Sequence, residues 1–269
     1  MKFEHVQVFN FKGALRGMRN PLASWTRSDS AYGIGEDGEI DEALDNIAAE
    51  YCNANGVNVL DDDYDKTFDS MRDWLYDNGV NSRLPYGECC NEYALLGPKD
   101  MALATRLIKA GPEHRKFLRQ IFISVDVTAP LYWWKEMDTY KLGTTANSTS
   151  TMHKLASTPI TLDCFETDDM NIQKLALDDG EANIYHELEM NINFLEQLRL
   201  KYNETKDKRY WKELVRWLPN GWLQTRTWTA NYEVLRSIYH QRKGHKLTEW
   251  HQFCEWIALL PYAKQFIID

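Results

Sequence analysis

Two stretches of this 269-residue chain hold residues whose types and spacing could do chemistry. The first runs Ala129-Pro130-Leu131-Tyr132-Trp133-Trp134-Lys135-Glu136-Met137-Asp138-Thr139-Tyr140-Lys141 and leads into Asn147-Ser148-Thr149-Ser150. Its loop, Gly143 to Thr151, is rich in Thr, Ser and Asn. Clustered hydroxyls beside a cation such as Lys141 suit phosphate oxygens, although the same composition also makes plain solvent-exposed coil. The second stretch runs Arg216-Trp217-Leu218-Pro219 to Thr229-Ala230-Asn231, then Leu235 and Arg242. Asn caps helix starts well, and free N–H groups there favour anions. Leu235 and Tyr239 follow Asn231 at four-residue steps with Arg242 three further on, so Arg242 falls roughly on the side of the cap. An arginine on a helix is also, and commonly, a solvated or salt-bridged surface group.

The elements that must position these residues follow from hydrophobic period. Val6 and Val8 against Phe9 and Phe11 suit a first strand covered on both faces. Glu36 to Val80 reads as acidic and helical, with Tyr64, Phe68, Met71, Leu75 and Tyr76 in its second part and Gly79 and Asn81 as the stop. Pro98 opens a helix to Lys109, closed by Gly111-Pro112. Ile121, Ile123, Val125 and Val127 alternate as a half-buried strand, and Leu131 to Tyr140 is the next helix. A long helical pattern spans about Glu181 to Asn203, and helices near 207–217, 231–243 and 247–260 complete the chain, with Trp222 to Thr229 as a strand. No composition break forces a boundary, so residues 1–269 are expected to form a single domain.

Composition narrows the function classes. A net charge of −9 and a pI near 5.3 disfavour nucleic acid and anionic membranes as partners. A free mononucleotide is another matter, because a few local arginines hold one phosphate. The five cysteines, Cys52, Cys89, Cys90, Cys164 and Cys254, match neither a disulfide framework nor a zinc pair. Reduced thiols, no signal core after Met1 and no membrane-length apolar run make the cytoplasm the expected compartment. No HExxH, P-loop, GxSxG or GxGxxG stands out, His186 among glutamates reads as a solvated face, and no metal site is expected. Gly33-Ile34-Gly35 is weak as a motif. The ten tryptophans are expected in the core or at subunit interfaces.

The two stretches together resemble the flavin-dependent thymidylate synthases. Leu218-Pro219, Trp228-Thr229-Ala230-Asn231 and Arg242, eleven residues after that Asn, fall at the family's spacing. A strand, an Ala-Pro, a Trp-bearing helix and a loop ending in Asn147 and Ser150 match its layout. The resemblance covers residues 117–155 and 215–257. It leaves about 1–110 as a divergent amino-terminal region. It implies an α+β fold, a central antiparallel sheet flanked by long helices. It also implies FAD and a pyrimidine nucleotide (dUMP-like) as ligands, a reduced folate as one-carbon donor, and a homotetramer with sites built between subunits. Carried over, Arg242 and Ser150 are the catalytic positions, with Ser148, Arg216 and Arg242 on the substrate. Asn231, Lys141, Asn147 and Tyr140 face the cofactor. The family's Arg-His-Arg hallmark is replaced by Thr139-Tyr140-Lys141-Leu142, and a Glu and an Arg of its loop are here Ser148 and Met152. Lysine is a weaker, non-bidentate substitute for arginine on phosphate. Two functions therefore stand side by side. One is a nucleotide methyltransferase of the thymidylate synthase kind; the other is a non-catalytic nucleotide-binding or scaffold protein that kept the fold and lost the flavin shell.

Overall fold

The computed structural model describes residues 1–34, 37–79, 92–150, 154–167 and 184–269. Gly35, Asn81, Pro85-Tyr86-Gly87, Cys89-Cys90 and Met152 lie outside the described residues. The strands are β1 (Lys2–Phe9), β2 (Ala31–Ile34), β3 (Glu92–Leu95), β4 (Phe122–Pro130), β5 (Thr145–Ser148) and β6 (Leu223–Asn231). The main helices are α1 (Phe11–Arg19), α2 (Asp37–Ala54), α3 (Tyr64–Gly79), α4 (Pro98–Lys109), α5 (Leu131–Met137), α6 (Ile184–Thr205), α7 (Lys208–Arg216), α8 (Tyr232–Arg242) and α9 (Thr248–Ala258). The expected α+β class is what the chain adopts, with a four-stranded sheet in the order β1-β4-β6-β5 and a two-stranded sheet β2-β3.

The hydrogen bonds show how the site strands run. Tyr232 N donates to Ile121 O at 3.0 Å, and Leu131 N donates to Trp222 O at 3.0 Å. Partner numbers fall along β6 as they rise along β4, which makes the pair antiparallel. Thr149 N to Thr225 O, 2.9 Å, and Thr229 Oγ1 to Thr145 O set β5 against β6 in the same sense. The alternation Ile123, Val125, Val127 and Ala129 buries one face of β4, as the period of two requires.

The chain divides into two compact units: one of Met1–Lys2, Val127–Lys141 and Ala146–Thr227, the other of Phe3–Asp126, Leu142–Thr145 and Trp228–Asp269. In the first unit, Leu195 of α6 and Leu214 of α7 pack with Leu155, Ile160 and Phe165. Glu196 and Arg199, one turn apart on α6, form an ion pair at this core, and Glu196 also accepts from Ile160 N at 2.9 Å. That hydrogen bond from Arg199 holds the Glu196 carboxyl below its ordinary value. In the second unit, Leu44, Ile47 and Ala48 of α2 meet Met71 and Leu75 of α3 and Leu95 of β3. The sequence pattern here ran as one acidic helical stretch; the structure has two helices with a turn between them. Phe11, Tyr232, Tyr262 and Phe266 form an aromatic cluster, with Tyr232 Oη donating to Pro261 O at 2.8 Å. Desolvation raises the Tyr232 hydroxyl well above its ordinary value, so it stays a donor.

Three elements differ from the sequence reading. The basic stretch Lys12 to Arg27, for which the hydrophobic period gives no element, contains most of helix α1 and two 3-10 turns. The antiparallel β2-β3 pair joins segments some sixty positions apart, with Ala31 opposite Leu95. The polar loop after Lys141 contains β5, a strand with every residue exposed.

Candidate functional site

In the first unit the chemistry-bearing side chains gather where α5 lies on β6. Trp134 is fully buried because its Nε1 finds a partner, donating to Gln224 O at 2.9 Å. The Arg226 guanidinium lies over the Trp134 ring at 4.2 Å from its centroid. Its Nη1 donates to Asp138 Oδ1 at 2.7 Å and its Nε to Gln224 Oε1 at 3.0 Å. Gln224 in turn donates through Nε2 to Thr149 O, fixing the start of the Ser150 loop to β6. Thr128 and Thr225 share a hydroxyl hydrogen bond of 2.7 Å beside it. Arg226 is thus held over a ring, paired and only 15% exposed. Sequence reading passed over it. Its pairing with Asp138 needs the β6-α5 contact, and only the alternation Gln224, Arg226, Trp228 along a strand hinted at two faces.

The predicted residues of this unit sit as follows. Asn147 and Ser148 are exposed on β5, and Ser150 is half-buried just beyond it, its carbonyl accepting from Lys154 N at 2.9 Å. Tyr140 is half-buried and Lys141 exposed, in the turn that follows α5, where Tyr140 N donates to Met137 O. Arg216 ends α7, exposed and paired with Glu213 of the same helix at 2.6 Å. The structure brings Asn147, Ser148 and Ser150 onto one short segment; it pairs Arg216 within its own helix.

In the second unit, Asn231 caps α8. Its backbone is extended, φ −134°, and its Oδ1 accepts from Val234 N at 3.1 Å. The turn at Gly143 lies against this helix start. A Cβ at Gly143 would stand 3.1 Å from Asn231 Nδ2 and 3.2 Å from Val234 Cγ2, and its φ of +74° favours glycine in any case. At the other end of α8, Arg242 is half-buried with its guanidinium 4.5 Å from the centre of the buried Trp250 ring. Arg115 grips Glu233 of the first turn of α8 in a bidentate pair, the shortest contact 2.9 Å. Helix α8 is therefore pinned at both ends, and the sequence-predicted pair, Asn231 and Arg242, sits on one rigid rod.

A four-stranded antiparallel sheet bordered by these helices defines an α+β fold of the flavin-dependent thymidylate synthase type. Among solved structures the chain is similar to thymidylate synthase X (ThyX) from Helicobacter pylori, determined with FAD and dUMP: TM-score 0.54, 14% identity, covering 100% of this chain and 98% of that one. That likeness shows the fold. Another Helicobacter pylori ThyX structure, complexed with FAD and dUMP, is similar at a TM-score of 0.47 and 18% identity over 64% of this chain and 83% of that one. A UMP/dUMP methylase PolB from Streptomyces cacaoi bound with 5-Br UMP is similar at a TM-score of 0.48 and 13% identity, over 63% of this chain and 83% of that one. No protein-family model matches the chain, and no curated protein does either.

Whether the residues present fit a flavin dinucleotide turns on its diphosphate, which needs cations. In the first unit, which carries Tyr140, Lys141 and Ala146 to Ser150, each of the four arginines already holds a carboxylate: Arg199 on Glu196, Arg209 on Asp207, Arg216 on Glu213 and Arg226 on Asp138. Lys141 alone stands where the family carries its Arg-His-Arg. Asn231, expected to face the flavin, gives its carbonyl oxygen to the helix cap. The arginines of this unit thus offer a diphosphate no unpaired guanidinium among the described residues. No group of His, Cys, Asp and Glu among the described residues is arranged to hold a metal ion, and no described helix is long and apolar enough to cross a membrane.

Proposed function

We propose that this chain binds a pyrimidine nucleotide on the thymidylate synthase fold without a flavin, as a cytoplasmic homo-oligomer. The observation that supports the reading is Arg242. It lies eleven residues beyond the cap Asn231, on the same helix, with its guanidinium held against the Trp250 ring at 4.5 Å. A guanidinium stacked on an indole has its donors fixed in one plane, which suits the carbonyl edge of a pyrimidine. The carboxylates on the unit's arginines speak against the dinucleotide cofactor and leave room for a ligand with one phosphate.

A second reading keeps the enzyme: FAD and a reduced folate bind as well, and a one-carbon unit passes to the base. It draws support from the full-length match to a structure holding FAD and dUMP, and from Asn231 at the family's flavin-facing position. The visible spectrum separates the two readings. On the first, the purified protein is colourless and stays so after incubation with FAD and desalting, while dUMP raises its melting temperature. A retained band at roughly 450 nm, the oxidised-flavin absorption, would overturn the first reading in favour of the second.

A further inference from the structure

The second unit carries a cleft that neither reading uses. It is about 460 Å³ in volume and lies between the end of α1, the turns that follow it, and the outer face of α4. Its apolar lining comes from Met18, Pro21 and Leu22 on one side and Ala102, Leu103 and Leu107 on the other. Three exposed cations, Arg27, Lys99 and Arg106, also line it.

The local carboxylates do not neutralise these cations. Asp100, wholly buried, holds Arg19 at 2.6 Å and accepts from the Ser28 and Ser30 hydroxyls. Asp29 accepts from the backbone N–H groups of Lys99 and Asp100 at 2.8 and 3.0 Å, closing the start of α4. Gly97 makes this closure possible, because a Cβ there would overlap the Asp29 carbonyl oxygen. The two acids are thus consumed in building the cleft wall. Among the described residues no carboxylate pairs with Arg27, Lys99 or Arg106. This contrasts with the first unit, where every arginine is paired, and with a chain whose net charge is −9.

We propose that this cleft binds a small phosphorylated molecule with an apolar or aromatic body. The volume is in the range of small-molecule sites. Three cations at an apolar-lined cleft match an anion on an apolar body better than they match a fully polar ligand. Arg19, locked on Asp100, is a positioning residue that fixes the α1-α4 wall.

The test is a calorimetric titration of the whole chain with phenyl phosphate. One saturable site is expected, with affinity at least ten-fold above that for inorganic phosphate. The double change Arg27→Gln/Arg106→Gln should weaken it ten-fold or more. Lys109→Gln, on the same helix but outside the cleft, should leave it unchanged. Both altered arginines are exposed and make no ion pair among the described residues, so the fold tolerates the change. Absence of saturable heat, undiminished binding by the double variant, or an equal loss in Lys109→Gln would overturn the site. Equal affinity for inorganic phosphate would overturn its apolar half.

Discussion

At Asn231 a structural role and a ligand-facing role make opposite demands, and substitution separates them. The side chain caps α8 through Val234 N. Asn231→Ala should therefore lower stability by about 1 kcal/mol, while Asn231→Asp, an equally good cap, should restore it. Chemical denaturation of the two variants reads this directly. If both lose stability alike, capping is not what Asn231 does. Arg226 makes the complementary case. Its guanidinium joins Trp134, Asp138 and Gln224. Arg226→Ala leaves Asp138 (56% exposed) free to take water, so the cost should be modest, about 1–2 kcal/mol, and should fall at high salt. A salt-independent loss would assign the effect to packing on Trp134 alone. What was legible at this scale was the cap and the spacing to Arg242, because both are local along one helix. Arg226 was not legible, since its partner Asp138 is 88 positions away and becomes a neighbour only through the fold.

Among the elements, the strands and helices with a strong hydrophobic period were readable: β4, α4, α8 and α9 stand within a few residues of where their patterns put them. Elements defined by a partner were not. Thr145–Ser148 has no buried residue, and its extended form comes from hydrogen bonds to β6. β2 and β3 need each other across a long separation that no local signal reports. Helix α6 carries the pH-sensitive contact of this scale. The Arg199 hydrogen bond lowers the folded-state pKa of Glu196, so the pair stabilises the fold above the carboxyl's ordinary value of 4.5, and that contribution is lost as pH falls. Glu196→Gln should thus melt below the native chain near neutrality, and the gap should close as pH falls below the carboxyl's ordinary value. A gap that stays constant over that range would show that the charge of Glu196 plays no part.

At the scale of the molecule, the likeness to ThyX over 100% of the chain at 14% identity shows the fold. The carboxy-terminal segment made that fold readable; the amino-terminal region, which carries β1, α1 and the cationic cleft, had no comparable signal. Light scattering should give about four times the 31.5 kDa chain mass, as the resemblance implies; a monomer at micromolar concentration would remove the tetramer. The central claim, a pyrimidine nucleotide held without a flavin, is tested most directly by titrating dUMP into the protein as purified with no FAD added. Saturable one-site heat is expected, with an affinity at least ten-fold weaker in Arg242→Ala. Heat that appears only after FAD is supplied, or none with either, would contradict it.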